Sequence, residues 1–152
     1  MSFAFRRKPG SVSKPRRKRG VHRSKFETRF DATVKDILGV ALGYETTVLA
    51  YVTAPQKRRY TPDWTIKDGW YIETKGRLDT ANRKKMLYIK EQHPTARILV
   101  LFQNSRDFIR KGSKTRYSDW CQKNQIEWCD IKEQDKWLLF IKEALATWMQ
   151  VL

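Results

Sequence analysis

The pattern of apolar and polar residues changes period several times along this chain, and each change marks an element. Phe26, Phe30, Val34 and Ile37 recur at helical spacing. Ser24 ahead of them and Glu27 three residues later form a capping-box signature, and Leu38-Gly39 supplies a stop, so a helix is predicted here. Tyr44, Thr46, Thr47, Val48, Leu49, Tyr51 and Val52 read as a strand over 44–52, followed by a basic loop at Gln56-Lys57-Arg58-Arg59. Two runs rich in β-branched and aromatic residues, Tyr60 to Ile66 and Trp70 to Thr74, flank the turn signal Lys67-Asp68-Gly69 and predict a β-hairpin. Pro62 fits such a run only near a strand start or on an edge, because it cannot donate to a ladder.

Beyond the hairpin, Gly76 and Asp79-Thr80 open a second helix that runs to about Gln92. It carries Arg83, Lys84, Lys85 and Lys90 on its polar side and Met86, Leu87 and Ile89 toward a core, with Pro94 after its end. Arg97-Ile98-Leu99-Val100-Leu101-Phe102 is almost continuously apolar, as expected of a central strand covered on both faces. A basic loop over 104–116 leads to a short helix from Tyr117 to Asn124 and a strand from Ile126 to Ile131. In the closing segment, Trp137, Ile141, Ala144, Leu145 and Trp148 share one helical face. That helix (within 133–152) is too short and too charged to span a membrane, and core or interface packing is favoured over membrane association. Alternating strands and helices from residue 60 onward predict an α/β domain around a mixed sheet.

Charge adds a partner to this picture. Across 152 residues there are 32 Lys or Arg against 16 Asp or Glu, a net +16 that calls for a polyanion. Residues 1–22 form a basic arm. Between Arg6 and Lys25 lie ten basic residues and no acid, interrupted by Pro9, Gly10, Pro15 and Gly20. Such a segment repels itself and lacks core residues, so it is expected to be disordered alone and to order on phosphate. A nuclear address in Lys14-Pro15-Arg16-Arg17-Lys18-Arg19 is the weaker reading of the same run. Cys121 and Cys129 make neither a disulfide framework nor a zinc site, which suits a reducing cytoplasm. Neither a secretion signal nor a run of apolar residues long enough to span a bilayer is seen.

Candidate chemistry sits in the hairpin. Period two sends Tyr71, Glu73 and Lys75 to one face and Trp70, Ile72 and Thr74 to the other, and the neighbouring run brings Asp63 close. Pro62-Asp63, nine residues, then Glu73-Thr74-Lys75 is the PD-(D/E)xK spelling of metal-dependent nucleases. Two close carboxylates repel each other, and a hard divalent cation such as Mg²⁺ relieves that repulsion with oxygen ligands. A lysine beside them can orient a water and offset charge developing on phosphorus. Alone the spelling is degenerate: an exposed hairpin with a Glu–Lys pair accounts for it equally well. Glu27, read alone, is a capping residue.

Several blocks in one order resemble the phage endonuclease I family, the T7-type Holliday junction resolvases, over about residues 22–130. They are His22-Arg23-Ser24-Lys25-Phe26-Glu27, Tyr60-Thr61-Pro62-Asp63-Trp64, Ile72-Glu73-Thr74-Lys75-Gly76, and Arg83-Lys84-Lys85 through Ile89-Lys90-Glu91-Gln92-His93-Pro94. Arg110-Lys111-Gly112-Ser113 and Tyr117 to Ile126 also look familiar. The resemblance implies an α/β, restriction-endonuclease-like core with a mixed central β-sheet flanked by helices (residues 23–132), built into a domain-swapped homodimer. It implies Glu27, Asp63, Glu73 and Lys75 as catalytic residues. Metal, Mg²⁺ with Mn²⁺ as a substitute, would lie on Glu27, Asp63, Glu73 and the Thr74 carbonyl. Phosphate contacts are expected from Arg16, Arg17, Lys18, Arg19, Arg23, Arg83, Lys84, Lys85, Arg110 and Lys111. His22 is expected to be a bystander, with a supporting role open because it lies near Glu27. Two departures stand out: a longer, denser arm and an apolar C-terminus.

The expected activity is therefore hydrolysis of phosphodiesters in four-way junctions and other branched DNA. A sequence-guided nicking endonuclease keeps the same residues, and a non-catalytic nucleic-acid-binding protein would use only the arm and exposed aromatics.

Overall fold

The computed structural model describes residues 22–53 and 56–149. Helix α1 (Lys25–Leu38) leads to the two-residue strand β1 (Gly43–Tyr44), then β2 (Leu49–Thr53) and β3 (Gln56–Tyr60). The hairpin β4 (Trp64–Lys67) and β5 (Trp70–Lys75) comes next. It is followed by α2 (Thr80–Gln92), β6 (Arg97–Phe102), α3 (Tyr117–Lys123), β7 (Trp128–Asp130) and α4 (Gln134–Met149). Five strands make one mixed sheet in the order β1-β4-β5-β6-β7, and β2 and β3 form a separate two-stranded ribbon. Antiparallel pairing joins β1 to β4 and β4 to β5, whereas β5, β6 and β7 run parallel.

Alternation along β6 organises the layers. Leu99 and Leu101 enter a core with Phe30 and Val34 of α1 and Trp137, Leu138, Phe140 and Ile141 of α4. Val100 and Phe102 enter the opposite core, with Met86 of α2 and Tyr117 and Cys121 of α3. The central strand is thus covered on both faces, as its unbroken apolar run predicts. Trp64, fully buried, meets Phe30 edge-on at 5.3 Å, and Phe30 meets Trp137 in the same way. Each such aromatic contributes about 1.5–3 kcal/mol by burial.

Helices α1 and α2 begin as their caps predict. Ser24 and Glu27 form the full capping box of α1, and Gly39 ends it in the left-handed region at φ 65°. Asp79 caps α2 by accepting from the Asn82 amide. Several expectations are corrected. The predicted strand over 44–52 is split, because Glu45 turns into the left-handed region and its amide bonds to the Asp63 carbonyl. The predicted loop at Gln56–Arg59 is strand β3, with four exposed residues and only Tyr60 buried; an all-polar face gives periodicity nothing to register. Tyr60 therefore ends β3 rather than opening the hairpin, and Pro62 occupies the break. Leu87 and Ile37 are exposed, not core. The last strand is only Trp128–Asp130. The basic arm lies outside the described residues, except for its last residue, His22.

Candidate active site

Local pairing builds the site. Trp64 pairs with Ile72 across the antiparallel hairpin, so Asp63, one residue before the strand, arrives beside Glu73 and Thr74. Asp63 Oδ2 accepts from both the Thr74 amide and the Thr74 hydroxyl, each at 2.8 Å. Glu73 and Lys75, two residues apart, share a face, and Lys75 Nζ bonds to Glu73 Oε1. Glu73 is 2% exposed, and its other oxygen accepts from the Tyr60 hydroxyl at 2.6 Å. A buried carboxylate therefore has a donor on each oxygen.

The electrostatics are those of a strained carboxylate pair. Burial, and next the charge of Glu73, push the Asp63 carboxyl up from 3.8 to about 6; Lys75 and the two Thr74 bonds pull the other way. Lys85 on α2 places its ammonium 5.2 Å from the centre of the Tyr60 ring. Burial lowers its pKa, and the Glu73 charge opposes that. Two carboxylates and Lys75 thus meet at the end of β5, with Lys85 on the ring of the tyrosine that bonds to Glu73.

Glu27 has a set of partners of its own in the single chain. Its Oε2 accepts from the Arg23 amide at 2.7 Å, the Ser24 amide at 3.1 Å and the Tyr44 hydroxyl at 2.7 Å. The capping function is fully present. Among the described residues, no group of three or more His, Cys, Asp or Glu side chains gathers at metal-binding spacing. His22 packs against Tyr44 and Trp64, with ring centres 4.7 and 4.9 Å away, and lies 3.8 Å from Asp31.

The expected phosphate contacts fall into distinct settings. Arg83 donates to the carbonyls of Leu78 and Ile109 and to the Thr80 hydroxyl, so its guanidinium ties the start of α2 to the 104–116 loop. Lys84, Arg110 and Lys111 are exposed. Arg23 is exposed and paired with Glu45 at 2.8 Å. Arg16, Arg17, Lys18 and Arg19 lie outside the described residues. Sequence reasoning missed the Thr74 hydroxyl and the Tyr60 phenol. The one signal for Tyr60 is its place three residues before Asp63, in the same short block.

With this geometry established, similarity to known proteins can be placed on it. The family profile described as phage endonuclease I matches residues 9–147, reaching into the arm and through most of α4. The chain is 35% identical over 129 residues to "Endonuclease I" of Escherichia phage T7, covering 85% of this chain and 86% of that protein. It is 40% identical over 111 residues to "Endodeoxyribonuclease 1" of Enterobacteria phage T3, covering 68% of this chain and 73% of that one. A match over nearly the whole chain, taking in the Asp63, Glu73 and Lys75 cluster, places this protein in the phage endonuclease I family.

Proposed function

We propose that the chain is a metal-dependent endodeoxyribonuclease that cuts four-way junctions and other branched DNA as a homodimer. The carrying observation is the cluster of Asp63, Glu73 and Lys75, where two carboxylates meet in a buried setting. That donor set fits a hard divalent cation: oxygen ligands, mutual repulsion, and an Asp63 carboxyl already pushed toward losing its charge. Asp63, Glu73 and the Thr74 carbonyl would hold Mg²⁺ or Mn²⁺, which supplies Lewis acidity at the scissile phosphate. Lys75 orients the attacking water against Glu73 and offsets the negative charge that grows on phosphorus. Water adds its oxygen to phosphorus and the 3′ oxygen departs with a proton, leaving 5′-phosphate and 3′-hydroxyl ends.

Glu27 is spent within its own chain on a cap and on Tyr44, yet a second copy could present it to this site. A swapped homodimer would allow that assignment and give two sites related by symmetry, suited to two opposed nicks. Lys84, Lys85, Arg110, Lys111 and the arm grip phosphates, which position DNA without reading its sequence.

A gel assay with Mg²⁺ tests the reading. Wild type and Asp63→Ala are each given an immobile four-way junction and a matched linear duplex. Paired nicks near the branch point by wild type alone, with the variant still binding, are expected. Cutting of the linear duplex at one sequence would replace junction resolution with sequence-guided nicking, and binding without cutting would remove the catalytic assignment.

A further inference from the structure

One group beside the cluster has no role in the chemistry above, the phenol of Tyr60, and its ring also carries the ammonium of Lys85. Tyr60 is 2% exposed and closes strand β3 opposite Leu49. Its ring packs with Tyr51 and Ile89 in a small core of its own. Those contacts would be served as well by phenylalanine. The hydroxyl is a different matter, because it crosses from the ribbon to the main sheet and donates to Glu73 Oε2 at 2.6 Å. A phenol is protonated at neutral pH and so donates this bond.

A glutamate carboxyl rotates broadly about its last torsion unless its oxygens are held. Here Lys75 takes Oε1 and Tyr60 takes Oε2, so the plane of the Glu73 carboxylate is set from both sides. The face of the same phenol carries Lys85, 5.2 Å from the ring centre. The charges that act on Lys85 are those of Glu73, Lys75, Asp63 and Asp79. We propose that Tyr60 is a positioning residue for phosphodiester cleavage: its hydroxyl sets the Glu73 carboxylate for the metal, and its ring holds the Lys85 ammonium where the substrate phosphate enters. The inference rests on Glu73 being a metal ligand.

Hydroxyl and ring are separable by mutation. Full-length Tyr60→Phe keeps the ring and loses only the bond to Glu73. On a four-way junction, its single-turnover cleavage rate in Mg²⁺ should fall roughly 10- to 100-fold, the loss typical of a hydrogen bond to a charged partner. Its affinity for free Mn²⁺, read by electron paramagnetic resonance without DNA, should weaken, while junction affinity measured in Ca²⁺ stays at the wild-type value. Lys85→Met should show the complementary pattern, with Mn²⁺ affinity kept or raised and cleavage reduced. In a Glu73→Gln background, Tyr60→Phe should have no further effect on Mn²⁺ affinity. Wild-type cleavage and wild-type Mn²⁺ affinity in Tyr60→Phe would overturn the proposal. A lowered unfolding temperature with both readouts unchanged would do the same and leave Tyr60 a packing residue. Absence of Mn²⁺ binding and of cutting in wild type itself would remove the endonuclease reading and this inference together, an outcome distinct from failure of the variant alone.

Discussion

Burial and the nearby Glu73 charge raise the Asp63 carboxyl from 3.8 to about 6, and this fixes the sign of a prediction at the scale of one residue. A carboxyl whose folded value lies above its unfolded one favours folding when protonated and loses that contribution as pH rises through the folded value. Asp63→Asn, which keeps an oxygen for the Thr74 donors, should therefore be more stable than wild type above about pH 6 in EDTA. The gain should be roughly 1–3 kcal/mol at pH 7 and vanish below about pH 4, while cleavage is abolished. Denaturant melts of both proteins at pH 4 and pH 7 check it; equal stability at pH 7 would contradict the strain assigned to the pair. Asp63, Glu73 and Lys75 were legible in the sequence because period two and one short turn bring them together. Tyr60 was not, since its bond to Glu73 joins two separate sheets and no local spacing records that. Glu27 was legible as a cap, which is how a single chain uses it.

At the scale of elements, the end of strand β2 is held to α2 by a side chain. Gln92, at the end of α2, accepts from the Val52 amide and donates to the Val52 carbonyl, both at 2.7 Å. One side-chain amide thus does for β2 what a neighbouring strand would do. Gln92→Ala should speed hydrogen exchange of the Val52 amide roughly tenfold and leave β6 amides unchanged, with global stability down by about 1 kcal/mol or less. Uniform loss of protection across the sheet would show instead that the ribbon is not an independent unit. Helices α1 and α2 were legible from caps and apolar spacing. The ribbon was hidden because Gln56, Lys57, Arg58 and Arg59 are stabilised by main-chain pairing, which side-chain chemistry does not advertise.

For the whole molecule, the alternation of strands and helices was enough to read an α/β fold with a mixed sheet, and α4 proves to share the core of α1 and the hairpin. What one sequence leaves unwritten is whether Glu27 completes a site, and whether it does so in its own chain or in a partner copy. Glu27→Gln and Asp63→Asn homodimers should each be inactive. Mixed and refolded together, they should recover nicking of one strand per junction, since a swapped pair holds one site with both wild-type residues. No recovery on mixing would mean that each chain completes its own site. Tyr60 finally ties two scales together: the residue that closes the ribbon also sets Glu73. Folding of the ribbon and readiness of the site are therefore linked equilibria, and linkage runs both ways. A phosphate backbone lying along the exposed Lys57, Arg58 and Arg59 would stiffen the ribbon and, through one phenol, enlarge the fraction of molecules ready to cut. The Gln92→Ala protein carries the measure of this clutch, because its cleavage rate should fall in step with the opening of its ribbon.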